Sequence, residues 1–281
     1  MFRKNTEKLV QEAYDNLITW YPKNLDKTIK LATKALNKNP ERYDAHWILA
    51  SAVLCLAIKN NEPLTNPLIE FDQAIKKDPT NIQAWFFRII ILEAINQSNN
   101  ENKKSTNDSS MGFLTDLVNG AVGHGFVGKF LGKTIMTIDT EDKKQEEESN
   151  IYSLEILKSC DKVIEIFGKT KQLPGLKSND IISQNFDIAD VWLIKSSILY
   201  RLHRLDDELE CYEAMLQLST TPEKRANTFY LKGLRLGMLG KAREAKEALE
   251  QSLTIRPYHE QTMEQLQTVE EMLGISKESH K

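Results

Sequence analysis

Residues 123 to 134 read GHGFVGKFLGKT, a stretch whose glycines and basic residue have the types used to hold phosphate. Gly123, Gly125 and Gly128 form G-x-G-x-x-G, and Gly132-Lys133-Thr134 has the ending of a Walker A loop. Such loops bring backbone amides close to a phosphate, with lysine neutralising charge and threonine reaching a metal ion. The spacing is wrong for that chemistry. A Walker A loop has a glycine separated by four residues from Gly-Lys-Thr, and Val127 occupies that place. The G-x-G-x-x-G fingerprint needs a strand before it and a βαβ unit around it. Polar chain precedes it here, so a nucleotide site ranks last among the readings.

No other constellation carries chemistry. His46, His124, His203, His259 and His280 lack metal-ligand spacing and read as surface or helix-packing residues. Cys55, Cys160 and Cys211 are odd in number and far apart, which fits a reducing compartment and not a disulfide framework. Neither a catalytic residue nor a cofactor or metal is assigned, and the expectation is a non-enzyme. Of the 281 residues, 41% are hydrophobic and 27% charged, an ordinary globular balance. The formal charge of −3 gives no basic face for nucleic acid. No apolar run reaches the roughly 20 residues that span a bilayer. The opening MFRKNTEKLVQEAY has no apolar core of a signal peptide, which sets the expectation of a cytoplasmic protein.

The elements that would position any site come from internal repetition. The segment 226–257, ANTFYLKGLRLGMLGKAREAKEALEQSLTIRP, aligns with 189–222, Phe229 falling on Trp192 and Gly233 on Ser196. DAHWILASAVLCLA (44–57) and IQAWFFRIIILEAI (82–95) repeat the opening; KTIKLATKALNKNP and NPLIEFDQAIKKDP repeat the close. Apolar residues recur at helical spacing in both halves. The pattern predicts helix pairs 5–20 with 24–38, 43–59 with 66–77, 81–96 with 150–167, 187–203 with 206–218, and 225–239 with 242–255. A capping helix is expected at 259–273.

This arrangement resembles the tetratricopeptide repeat family, whose unit of about 34 residues is a pair of antiparallel helices. Gly233 and Ala245 match its two small-residue positions, Gly240 its turn, and Pro40, Pro79 and Pro257 its closing proline. Trp47, Trp85 and Trp192 match its early aromatic. The chain departs from the pattern at Glu208, where alanine is usual, at Ile89, where glycine or serine is usual, and through extra residues at KNNEPLT. The resemblance implies an all-α, right-handed superhelical solenoid of helix hairpins with a long insertion. Repeats would occupy 1–96 and 150–281, with a flexible insertion over 97–149.

Within that insertion, 97–110 and 139–150 are polar or acidic and predicted to stay solvated. Between them 111–138 is apolar and glycine-rich, with Phe113, Leu117, Phe126, Phe130 and Leu131 as its contact residues. Gly128 and Gly132, four apart, would let another helix approach closely.

The family binds partners through the first helix of each hairpin. Carried over by position, the binding face would include Ile48, Phe86, Ile90, Leu193, Ser197, Tyr200, Arg201, Asn227, Tyr230 and Leu234. Leu49 and Phe87 stand where the chaperone-binding branch has a carboxylate clamp, so that clamp is absent. The resemblance implies an interaction scaffold taking a peptide or helix in an apolar groove, with 111–138 a candidate occupant in cis. The alternative is a membrane-associated assembly factor anchored to the membrane surface through 111–138. The partner's identity and the oligomeric state stay open.

Overall fold

The computed structural model describes residues 2–18, 24–60, 62–101, 143–170, 188–218 and 221–274. Every regular element among them is an α-helix: α1 (Phe2–Ile18), α2 (Leu25–Lys38), α3 (Tyr43–Asn60), α4 (Thr65–Lys77), α5 (Ile82–Glu101), α6 (Lys143–Thr170), α7 (Ile188–Arg201), α8 (Leu205–Leu218), α9 (Pro222–Met238), α10 (Ala242–Ile255) and α11 (Glu260–Met272). They pack as consecutive hairpins, α1 with α2, α3 with α4, α5 with α6, α7 with α8 and α9 with α10, and α11 lies against α10. The chain forms two compact units, Met1–Phe186 and Asp187–Lys281.

The repeat signals act as local geometry. Proline cannot continue a helix, and α2, α4 and α10 each end two residues before Pro40, Pro79 or Pro257. The same turn follows each time: Arg42 N–H donates to Asn39 O, Asn81 to Asp78 and His259 to Arg256. Six residues beyond its proline, His46 Nε2 lies 2.8 Å from Pro40 O, and Trp85 Nε1 donates to Pro79 O at 2.9 Å. Thr221 caps α9 by accepting from Lys224 N–H, and Pro222 takes the first turn, where its missing N–H has no helical partner. α9 closes with Gly240 at φ +73° and Lys241 N–H returning to Leu236 O at 2.9 Å. That closure needs a left-handed residue, which glycine adopts without a Cβ clash.

The first unit has a core of Leu9, Val10 and Ala13 from α1, Ala32 from α2, and Ile48 and Cys55 from α3. The apolar residues of α5 are spread around the helix, and Phe87 stacks on Phe71 of α4 with ring centroids 5.3 Å apart. The hairpin α5–α6 is closed by Arg88. Its Nε donates to Asp72 Oδ1 of α4 at 2.7 Å, its Nη2 to Glu155 Oε2 of α6 at 3.0 Å, and its Nη1 to Ser159 Oγ at 2.6 Å. In the second unit Leu236, Ala245, Ala248, Leu249 and Val269 form the core. A Cβ added to Gly233 would come within 2.7 Å of Leu249 Cγ, so glycine sets how closely α9 and α10 approach.

The structure adds three points to the sequence-based expectation. α5 continues to Glu101 and α6 begins at Lys143, so both solvated stretches end in helix. A started helix gains one hydrogen bond per added residue, and lysine, glutamine and glutamate at the start of α6 are good helix formers. The first compact unit includes α6, which places Ile156, Cys160 and Val163 in the interior alongside α5. Ile89, which replaces a small residue of the repeat pattern, is itself fully buried.

Candidate protein-binding face

In the second unit α7 and α9 are the first helices of their hairpins, linked by the contact of Arg235 with Tyr200. Leu193, Tyr200 and Arg201 on α7 are half-buried. On α9, Asn227 is exposed, Tyr230 and Leu234 are half-buried, and Met238 is 56% exposed. The steps from Asn227 to Tyr230, Leu234 and Met238 are three and four residues, which lines them up on one face of the helix.

Arg235 joins the two helices. Its guanidinium carbon lies 3.7 Å from the ring centroid of Tyr200, and Nη1 lies 3.4 Å from Met238 Sδ. A guanidinium at that distance is held by the negative face of the ring, so Tyr200 sits on a fixed platform. Beneath it, Arg235 Nε donates to Glu208 Oε1 at 2.8 Å, and Tyr212 donates its hydroxyl to the same oxygen. Burial pushes the Glu208 carboxyl above its ordinary value, against the lowering pull of Tyr212 and Arg235. Tyr230 meets His259 edge-on at 5.6 Å. Its hydroxyl is pushed up by burial and then by the charge of Glu264. Burial, helped by Arg256, lowers the His259 pKa, so its ring is neutral around pH 7.

Other residues assigned to the binding face take other places. Ile48 is 2% exposed and belongs to the first-unit core. Phe86 and Ile90 are 8% and 3% exposed. All three are buried, on helices α3 and α5 whose apolar residues are spread around the axis and not gathered on one face. Ser197 is also buried, its Oγ donating to Ile194 O at 2.9 Å within its own helix. Phe113, Leu117, Phe126, Phe130 and Leu131 lie outside the described residues, as does the Gly123–Thr134 stretch. Sequence reasoning missed Arg235 as a member of the face; the one signal toward it was Glu208 standing in an alanine position.

Among the described residues no group of three or more His, Cys, Asp or Glu side chains could hold a metal ion. No helix among them is long and apolar enough to cross a membrane.

No protein-family model and no curated protein matches the sequence. Solved structures do. The chain is similar to a thermophilic TPR protein of Thermus thermophilus at 14% identity and TM-score 0.40, over 95% of this chain and 97% of that one. It is similar to PilF of Pseudomonas aeruginosa at 15% identity and TM-score 0.34, over 95% and 98%. It is similar to yeast Tom70 at 15% identity and TM-score 0.31, over 96% and 64%. With its consecutive hairpins, closing prolines and close approach of α9 to α10 at Gly233, the described part of the chain is an all-α array of helix hairpins, similar in fold to tetratricopeptide repeat structures.

Proposed function

We propose that this protein is a non-enzymatic interaction scaffold that takes a peptide or helix of a partner protein on the inner face of its second unit. The observation that carries the reading is the pair Tyr200 and Tyr230, half-buried on neighbouring inner helices. Tyr200 is pinned by the Arg235 guanidinium. Aromatic side chains held in place anchor interfaces, because they bury large area with little loss of freedom. Leu193 on α7 and Leu234 and the exposed Met238 on α9 add apolar area on the same two helices, and thioether side chains adapt to varied partner shapes. In a finer form of this reading, an apolar inner face of the repeats is occupied in cis by residues 111–138.

The test is affinity capture with the intact chain against the Tyr230→Glu variant, circular dichroism serving as the check on folding. A specific partner retained by the wild type and lost from a folded variant supports the reading. Capture of no specific partner by the wild type, or equal capture by both, sinks it.

A further inference from the structure

The second unit carries a further row of open side chains on α11, the helix expected as a cap. α11 runs beside α9 in the same direction. Tyr230 meets His259 at one end, ring centroids 5.6 Å apart, and further along a Cβ on Gly237 would lie 3.9 Å from Val269 Cγ2. Thr262 and Val269 turn inward, 0% and 4% exposed. Gln261, Glu264, Thr268 and Met272 are all exposed. Their steps of three, four and four residues repeat those from Asn227 to Met238 on α9 and gather them on one side of the helix. At about 100° of turn per residue, that side is centred about 100° round the axis from Val269. α11 therefore keeps its core contacts while presenting the row to solvent.

Glu264 gives the row its chemistry. It stands one 34-residue period beyond Tyr230. After burial, its charge is what holds the Tyr230 hydroxyl above its ordinary value, against the pull of Arg235. No cation pairs with that carboxylate among the described residues. α11 holds Glu260, Glu264, Glu270 and Glu271 and no lysine or arginine. On the neighbouring helices Lys246 is held by Glu270, Lys232 by Glu213 and Arg235 by Glu208. Arg256 stands by His259, whose pKa it lowers, and makes no ion pair among the described residues.

We infer that α11 belongs to the binding face and that the partner is a basic amphipathic peptide, whose lysine or arginine is received by Glu264 beside Tyr230. The inference rests on the reading that Tyr200 and Tyr230 anchor a partner segment. A cation beside a carboxylate and an aromatic ring is attracted by both, and the apolar stem of lysine or arginine can lie along the ring. Met238 and Met272, each 56% exposed, end the two rows and offer adaptable thioethers to the apolar side of such a peptide. An acidic peptide would meet like charge at Glu264.

Selection of a random peptide library, displayed on phage, against the intact chain tests this. Peptides retained by the wild type should carry lysine or arginine beside an apolar residue. Synthesised, they should bind Glu264→Gln about fivefold and Glu264→Lys more than about tenfold more weakly, and the loss should shrink as salt is raised. Glutamate in place of the peptide's basic residue should restore binding to Glu264→Lys. Retained peptides without a basic residue, equal binding by the wild type and Glu264→Lys, or a library that yields no binder overturn the inference. Where the Glu264 variants bind like wild type, Tyr230→Glu separates the two readings. Loss of binding there leaves the aromatic anchor standing without the charge, and unchanged binding removes both.

Discussion

Arg235 Nε and Glu208 Oε1 are 2.8 Å apart, and 5% and 0% of the two side chains are exposed. Glu208 belongs to the second helix of one hairpin and Arg235 to the first helix of the next, so this pair joins two repeats through the interior. Removing one member of a buried pair leaves the other charge without solvent or partner. Glu208→Ala or Arg235→Leu alone should each lower stability by about 3 kcal/mol. Together they should recover most of that loss, since alanine suits the repeat pattern at 208. Urea unfolding of the three variants measures the coupling. A strictly additive double variant would show that the two groups do not depend on each other.

Arg88 has a comparable place in the first unit but a different energetic balance. Its side chain is 13% exposed, whereas Asp72 is 49% and Glu155 35% exposed, so the carboxylates keep much of their hydration when the cation is removed. Lys158 first and Arg88 after it hold the Glu155 carboxyl below its ordinary value. Arg88→Met should therefore cost about 1–2 kcal/mol. Arg88→Lys should recover little, because one ammonium cannot reach Asp72, Glu155 and Ser159 as the forked guanidinium does. Thermal unfolding ranks the variants. Full rescue by lysine would mean that charge alone, and not the fork, closes this hairpin.

What the sequence made legible follows from the range over which each signal acts. Pro40, Pro79, Pro257 and Gly240 govern their own turns, and reading them locally placed the ends of α2, α4, α10 and α9 within a residue or two. Gly233 and Ala245 fall in one hairpin and could be matched by period. Arg235 could not be found that way: it pairs with a residue 27 positions back, and nothing periodic marks an ion pair. Arg88 and Glu155 are 67 positions apart, with the insertion between them. The burial of Ile48, Phe86 and Ile90 was illegible for another reason. A helix that is apolar all round has no distinguishable face, so position within the repeat could not tell lining from core.

Two helix ends make a controlled comparison of backbone strain. His203 has φ 56° after α7, and Gly240 has φ 73° after α9. The closing bonds match, Arg204 N–H to Leu199 O at 2.8 Å and Lys241 N–H to Leu236 O at 2.9 Å. Only the residue type differs. A side chain in the left-handed region costs about 1 kcal/mol that glycine avoids. His203→Gly should stabilise the second unit by about that amount, and Gly240→Ala should destabilise it by about the same. A Cβ at Gly240 meets nothing within 4 Å, so its penalty would be conformational and not steric. Chemical denaturation of both variants checks the pair of signs; destabilisation by His203→Gly would show that the imidazole contributes more than its backbone strain removes.

The pH response of the buried pair separates burial from ion pairing as the dominant influence on Glu208. Burial is the largest influence and raises the carboxyl pKa above its ordinary value near 4.5 in the folded chain. A raised folded value means the folded state binds the proton more tightly than the unfolded state. The resulting stabilisation is fully present below about pH 4.5 and is lost as pH rises through the folded value. Glu208→Gln fixes a neutral side chain of the same shape, and its carbonyl still accepts from Arg235 Nε and Tyr212. The stability of this variant relative to the wild type should therefore increase from about pH 4.5 upward and level off above the folded pKa. Unfolding free energies of both proteins across that range test the sign. If the wild type gains on the glutamine variant as pH rises, the attraction of the Arg235 guanidinium outweighs burial, and Glu208 is a charged partner through the working pH range.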